Sequence, residues 1–338
     1  MNVHDLPTPA LVIDVDLLQH NLATMAVAHP GAALRPHVKA HKCTALAAAQ
    51  HEQGHHSFTC ATVAEVVGMA AAGLGSDLLL ANEVLHPQRL AALAAVQDVA
   101  LVTIAVDSPE TVDAAAAAGL QHVLVDVNVG LPRCGCRPEE AGHIADLARG
   151  RGLTVRGVMG YEGHLMVMDD HDEQRVKVQQ SVDRLLAAHA DVGGDIVSAG
   201  GTGTYHLHDR VTEVQAGSYA LMDTYYARIG TPFVQACYVL GTVISATPKF
   251  AVADVGLKAM GMDHGNPSLE TLDGQGADVW FLSDEHVTFV PHAGVAAVGD
   301  HVHVVPAHID PTMAMHDVTW LVRGHEVIDR WPIDLRGW

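Results

Sequence analysis

A lysine walled by apolar residues can carry covalent chemistry, and the run Arg35-Pro-His-Val-Lys39-Ala-His-Lys42 offers one. At a strand end such an amine is desolvated, its pKa falls, and it becomes free to condense with an aldehyde as a Schiff base. Arg35, Lys39 and Lys42 read equally as a solvated basic patch. In Val197-Ser-Ala-Gly-Gly-Thr-Gly-Thr-Tyr205, glycines let backbone N–H groups close on an anion and threonine hydroxyls add donors. Many such stretches are only turns, so its place in the fold decides. His308 and Asp310, in Pro306-Ala-His-Ile-Asp-Pro-Thr312, have the spacing that turns two side chains to one face of an extended chain. One imidazole with one carboxylate leaves coordination positions open, which suits a catalytic divalent ion. With 24 histidines in the chain, such a pair also arises by accident. Arg133, and Tyr161 and His164 in Gly160-Tyr-Glu-Gly-His164, are further polar loop residues. His55, His56, His206 and His208 read as surface residues.

The elements that must position these groups repeat: a short β-rich run, a turn, then an Ala/Leu-rich helical stretch. Strands are predicted at 33–38, 57–60, 77–81, 101–106, 122–127, 154–160, 195–198 and 213–215. Helical patterns lie between them at 61–72, 87–96, 109–118, 138–149 and 171–189. Three of these begin with Pro, at home in a first helical position. Eight strands alternating with helices predict a (β/α)8 barrel, with a doubly wound open sheet as the alternative. Beyond about residue 235 the texture becomes β-branched, at 239–246, 249–252, 278–282, 286–290 and 301–305. The expected division is a barrel over 16–235 and a second, β-rich domain from 1–15 with 236–338. Lys39 then follows the first barrel strand, Arg133 the fifth, Tyr161 and His164 the sixth, and the Gly/Thr stretch the seventh. Barrel enzymes use this rim, with phosphate bound after strands seven and eight.

Composition narrows the function. The 338 residues suggest roughly two domains. With 19 Lys and Arg against 39 Asp and Glu, the net charge of −20 speaks against nucleic-acid and anionic-membrane partners. No run of about 18 apolar residues predicts a spanning helix. Residues 1–9 lack the pattern of a secretory signal. Five cysteines, with only Cys134 and Cys136 close together, fit buried thiols in a reducing cytoplasm.

Taken together, these stretches resemble one family, the fold-type III pyridoxal 5'-phosphate (PLP) enzymes related to D-threonine aldolase and eukaryotic-type D-serine dehydratase. The likeness runs almost end to end. It begins with Thr8-Pro-Ala-Leu-Val-Ile-Asp14, Asn21 and the Lys39 run. It continues through Gly201-Thr-Gly-Thr204, Glu213-Val-Gln-Ala-Gly-Ser-Tyr219, Met222-Asp223 and Asp254-Val-Gly-Leu-Lys258. Ser283-Asp-Glu-His286, Val298-Gly-Asp300 and His308-Ile-Asp310-Pro-Thr312 complete it. The resemblance implies that Lys39 forms the internal aldimine and that Arg133 meets the cofactor's phenolic oxygen. It implies that Gly201, Thr202, Gly203 and Tyr219 bind the phosphate, that Tyr161 lies beside the pyridine ring, and that His308 and Asp310 hold a divalent metal. A β-barrel second domain and a homodimer are implied as well.

A His-x-Asp pair resembles the aldolases activated by manganese, magnesium or cobalt, whereas the dehydratases tend to carry His-x-Cys with zinc. A carboxylate favours the harder ions. The implied reaction is retro-aldol cleavage of a small-molecule D-β-hydroxy-α-amino acid to glycine and an aldehyde. His164 is the candidate base that takes the β-hydroxyl proton, with Glu162, His37 and His41 as rivals. The alternatives are a dehydratase giving an α-keto acid and ammonia, a metal-independent racemase, and a non-catalytic PLP carrier.

Overall fold

The apolar runs of the first two thirds build one sheet and the β-branched runs of the last third build most of another, in a computed structural model that describes residues 1–271 and 274–338. In chain order the strands are β1 (Ala10–Asp14), β2 (Ser57–Cys60), β3 (Asp77–Leu80), β4 (Val102–Val106), β5 (His122–Asp126), β6 (Thr154–Met159), β7 (Ile196–Ala199) and β8 (Glu213–Val214). Then come β9 (Cys237–Ala246), β10 (Ala251–Ala253), β11 (Ser268–Thr271), β12 (Gly276–Leu282), β13 (Val287–Pro291), β14 (His301–Val305), β15 (Val318–Arg323) and β16 (Glu326–Pro332). The chain divides into two units. One holds Met1–Thr24, Ala40–Ala45 and Ser218–Asp334; the other holds Met25–Lys39, Leu46–Gly217 and Leu335–Trp338.

In the second of these, β2 to β8 lie parallel and in chain order. Residues 34–37 bridge the two edges of that sheet. Leu34 pairs with Val214 of β8 and His37 with Thr59 of β2, both in parallel sense, with Arg35 N donating to Val214 O and Thr59 N to Pro36 O. Consecutive strand order closed in this way is the expected (β/α)8 barrel rather than an open doubly wound sheet. The predicted strand at 33–38 is shorter than expected. Pro36 has no N–H for a ladder, and 3₁₀ turns at Gly31–Ala33 and Val38–Ala40 crowd the segment from both ends.

Helices cover the outside of the barrel, so alternate strand residues face two different environments. Phe58, Leu78, Ile104, Val123 and Val158 belong to the large core shared with the helices, whereas Leu79, Ala105, Leu124 and Met159 cluster separately. Thr62 with Glu65 and Ser108 with Thr111 form capping boxes at the starts of Val63–Ala71 and Pro109–Ala117. Pro138 opens a 3₁₀ turn that leads into Ala141–Gly150. Val15–Ala28 and Thr44–Glu52 are helices that the periodicity did not reveal.

Arg35 is not part of a solvated patch. It is 1 % exposed, and its guanidinium pairs with Glu213 at 2.7 Å and Asp77 at 3.1 Å, while Arg156 grips the same aspartate at 2.7 Å. Burial alone would lower its pKa, yet the two carboxylates raise it above the usual value. This network joins the beginnings of β3 and β8, the barrel end that serves stability rather than chemistry.

In the other unit, β9, β10, β13, β12, β11 and β14 close on themselves through the β9–β10 pair, and β1, β15 and β16 extend the sheet from β9. β1 runs antiparallel to β9 and parallel to β15. Strands β11, β15 and β16 were not anticipated; β16 lies half in solvent and carries no clean apolar alternation. All five cysteines are free thiols, four of them buried. Among the described residues no helix is long and apolar enough to cross a membrane.

Candidate active site

At the C-terminal rim of the parallel strands, Lys39 sits half-buried on the 3₁₀ turn that follows the closing segment. Its backbone N–H points at His37 Nδ1, 3.4 Å away. After β7 comes the Gly/Thr loop, with Thr202 and Thr204 buried. Its glycines are required by close approach: a Cβ at Gly203 would lie 1.8 Å from the Met166 carbonyl oxygen, and one at Gly201 would lie 2.6 Å from Met166 Sδ. Gly200 also takes a left-handed φ of +82°.

Beneath that loop lies a buried polar cluster. Glu162 Oε1 accepts from Thr204 Oγ1 at 2.7 Å and pairs with His208 Nε2 at 2.7 Å, and its Oε2 accepts from Gly200 N–H at 3.4 Å. Burial pushes the Glu162 carboxyl up, but the charge and hydrogen bond of His208, with the Thr204 hydroxyl, bring it below the ordinary range. Glu162 therefore spends both oxygens on the loop. His208 is buried rather than superficial, and so is His55. The Gly201 N–H also turns inward, donating to Thr204 Oγ1 at 3.3 Å.

The loops after β5 and β6 meet where the Arg133 guanidinium lies 5.2 Å from the Tyr161 ring centroid, a cation–π pair. Tyr161 also borders Gly201, 3.5 Å from where a Cβ would stand. Arg133, Tyr161 and the Gly/Thr loop are thus contiguous. The His164 ring lies against Gly130, where a Cβ would stand 3.2 Å from its Cε1 and 3.2 Å from Arg184 Nη1. Its pKa is lowered, first by burial and then by Lys177 and Arg184, against an opposing pull from Glu162.

Acidic residues at or shortly after the ends of β3, β4 and β5 gather beside Arg133, a group the sequence reading missed. Asp126 is buried, and its carboxyl is driven well above the usual range by that burial and by the neighbouring Glu83 carboxylate. Burial and Glu83 together push the Cys134 thiol up to about 11. Asp107 accepts from the Gly135 N–H at 3.2 Å. An acidic residue at or shortly after the end of each of three successive strands was the available signal.

The remaining expected residues belong to the other unit. Tyr219 is fully buried, its ring 5.6 Å from that of Phe233. His308 is extended, but Asp310 falls in the first turn of the helix Ile309–Met315. The same-face argument for an extended chain therefore does not describe this pair. Asp310 Oδ1 accepts from Ser218 Oγ at 3.2 Å. The Asp223 carboxylate accepts from the N–H groups of Tyr226 and Ile309. Burial, with a contribution from Asp310, pushes its pKa up to about 6. Asp263 and His264, unforeseen in the sequence, each offer a ligand atom within 4.8 Å of His308. A Cβ at Gly261 would lie 2.3 Å from Pro311 Cγ, which shows how tightly the 261–265 loop is drawn onto the His308 segment.

The residues present suit both groups the resemblance implied. A half-buried lysine at a strand end, a buried threonine hydroxyl in a glycine turn and an arginine steadied on a tyrosine are fitting donors for PLP. The imidazole of His308 and the carboxylate of Asp310 are donors that suit a first-row divalent ion.

The family model described as alanine racemase, N-terminal domain, matches residues 13–224, and the one described as putative serine dehydratase domain matches residues 236–322. This chain is 33% identical to a 3-hydroxy-D-aspartate aldolase of Paracoccus denitrificans, over 100% of its own length and 94% of the relative's. It is 33% identical to a D-threonine aldolase of an Arthrobacter species, over 98% and 93% of the two chains. The crystal structure of D-threonine aldolase from Filomicrobium marinum superposes with a TM-score of 0.92 at 33% identity, covering 98% of this chain and 96% of that one. The fold is thus that of the alanine-racemase-like, fold-type III PLP proteins. Within that class, the chain belongs to the D-threonine aldolase and D-serine dehydratase family.

Proposed function

We propose that this protein is a lyase that cleaves D-3-hydroxy-α-amino acids to glycine and an aldehyde, using PLP and a divalent metal. The observation that carries the reading is end-to-end identity of 33% with two such aldolases. The carboxylate of Asp310 in the place where a thiolate would mark a dehydratase agrees with it. When bound, PLP supplies the electron sink and the ion lowers the pKa of the substrate's β-hydroxyl.

Lys39 holds the cofactor through its amine. Arg133, kept in place by Tyr161, meets the phenolic oxygen, and Tyr161 borders the pyridine ring. Gly201, Thr202 and Gly203 receive the phosphate. His308 and Asp310 bind the ion. His164, beside Gly130 in the loop after β5, is the base we assign to the β-hydroxyl proton; burial lowers its pKa, the direction that favours a proton acceptor. We assign manganese, magnesium or cobalt ahead of zinc, and a cytoplasmic homodimer.

The test is cofactor-loaded protein with D-threonine and 3-hydroxy-D-aspartate, assayed for glycine and aldehyde before chelation, after chelation and after manganese add-back. Metal-dependent aldehyde release supports the proposal. An α-keto acid with ammonia would replace it with a dehydratase, and appearance of the L-enantiomer without glycine or aldehyde, indifferent to chelation, would point to a racemase.

A further inference from the structure

We infer that Asp263 and His264 are positioning residues that lock the His308 imidazole so that Nε2 alone faces the ion; this rests on the metal reading above. By proximity, Asp263, His264 and His308 look like a three-ligand centre. Ring geometry excludes that arrangement. The lone pair of an imidazole nitrogen lies in the ring plane. The His264 and His308 rings stack with centroids 4.1 Å apart and planes only 10° from parallel. An ion in the plane of one ring therefore stands off the plane of the other, and both cannot ligate it.

The carboxylate is committed as well. Asp263 Oδ2 is 2.6 Å from His308 Nδ1, and a carboxylate there accepts the Nδ1 proton. That fixes the tautomer, leaves the lone pair on Nε2 and makes Nε2 more basic, as partners behind a metal-bound histidine do. His264 then serves the ring face. It is itself backed by the Tyr225 ring, 4.1 Å away, over which Arg228 lies at 5.8 Å. Its Nε2 stands 3.7 Å from the same Asp263 oxygen. The hydrogen bond prevents His308 from flipping and the stack prevents it from tilting. The backbone is tied down too, with the His308 carbonyl accepting from Thr312 Oγ1 at 2.7 Å and Gly261 N donating to Thr312 Oγ1 at 3.0 Å.

The experiment measures Mn2+ affinity of the full-length, PLP-loaded protein from the EPR signal of free Mn2+, with cofactor absorbance confirming that each variant is folded. Asp263→Ala should weaken binding by roughly 10- to 100-fold. Asp263→Asn, whose amide oxygen still accepts from Nδ1, should recover most of that loss. His264→Phe, which keeps a stacking ring but no ligand atom, should bind within about threefold of wild type, as expected when only the ring face is used. Unchanged affinity in Asp263→Ala, or an equal loss in Asp263→Asn, would overturn the hydrogen-bond role. A loss in His264→Phe as large as in His308→Ala would make His264 a ligand and overturn its stacking role. His308→Ala separates this inference from the reading beneath it: wild-type Mn2+ affinity there would remove the metal site itself.

Discussion

Replacing His208 with alanine removes the hydrogen-bonded partner of a carboxylate sealed under the Gly/Thr loop. The Glu162 and His208 side chains are 1 % and 0 % exposed, and they meet at 2.7 Å. The Thr204 hydroxyl and the Gly200 N–H are then the hydrogen bonds left to the Glu162 carboxylate. Breaking one side of a buried pair costs about 3–5 kcal/mol. At about 2–4 °C per kcal/mol for a unit of this size, the melting temperature should fall by roughly 6–20 °C. Glu162→Gln keeps the acceptor for Thr204 and loses the charge, so it should cost far less. Because the folded pKa of Glu162 lies below its ordinary 4.5, the pair contributes fully above that value. The contribution drains away as pH falls through the folded pKa. Thermal melts of wild type and both variants at neutral pH and in acid, followed by far-UV circular dichroism, provide the assay. A His208→Ala melting point within 2 °C of wild type (about 1 kcal/mol or less) would refute the reasoning.

Other outcomes are equally definite. Lys39→Ala should abolish the yellow, borohydride-reducible cofactor absorbance; persistence would move the assignment to Lys42 or to Lys258, although Lys258 Nζ already lies 2.6 Å from Glu285. Arg35→Ala should destabilise the barrel by about 3–5 kcal/mol, because Glu213 loses its buried partner and Asp77 one of two; a melt unchanged from wild type would contradict this. Burial, helped by His4, His325 and His301, lowers the His303 pKa to about 4. Its folded form thus stays neutral where the unfolded chain takes up a proton, and His303 adds stability above pH 6.5 that is lost toward pH 4, by about 3 kcal/mol. Urea titrations of His303→Phe should show a shallower acid-side decline than wild type, and an identical decline would refute the assignment.

The barrel strands were readable because both of their faces are covered, which leaves near-continuous apolar runs such as Val102–Val106. The rim positions of Arg133 and the Gly/Thr loop were readable because each comes after such a run. The residues that orient others were not. Asp263 meets His308 across 45 intervening steps of chain, and nothing local in either segment encodes the encounter. His208 was placed among surface histidines; its partner Glu162 arrives from another loop, 46 positions away. The pairing of Asp310 with a helical turn was hidden for a different reason. Pro311 suits an early helical position as well as a stiff loop, and only packing against Gly261 selects between them.

The segment that seals the parallel ring ends one residue before the turn bearing Lys39. The residues that close the seam therefore also set where the Lys39 turn begins. Were Lys39 to anchor the cofactor as proposed, the bound cofactor would stabilise the closed ring by a margin that grows with the logarithm of its concentration. Vitamin uptake would then double as a gauge of whether the last staves of the cask have come together.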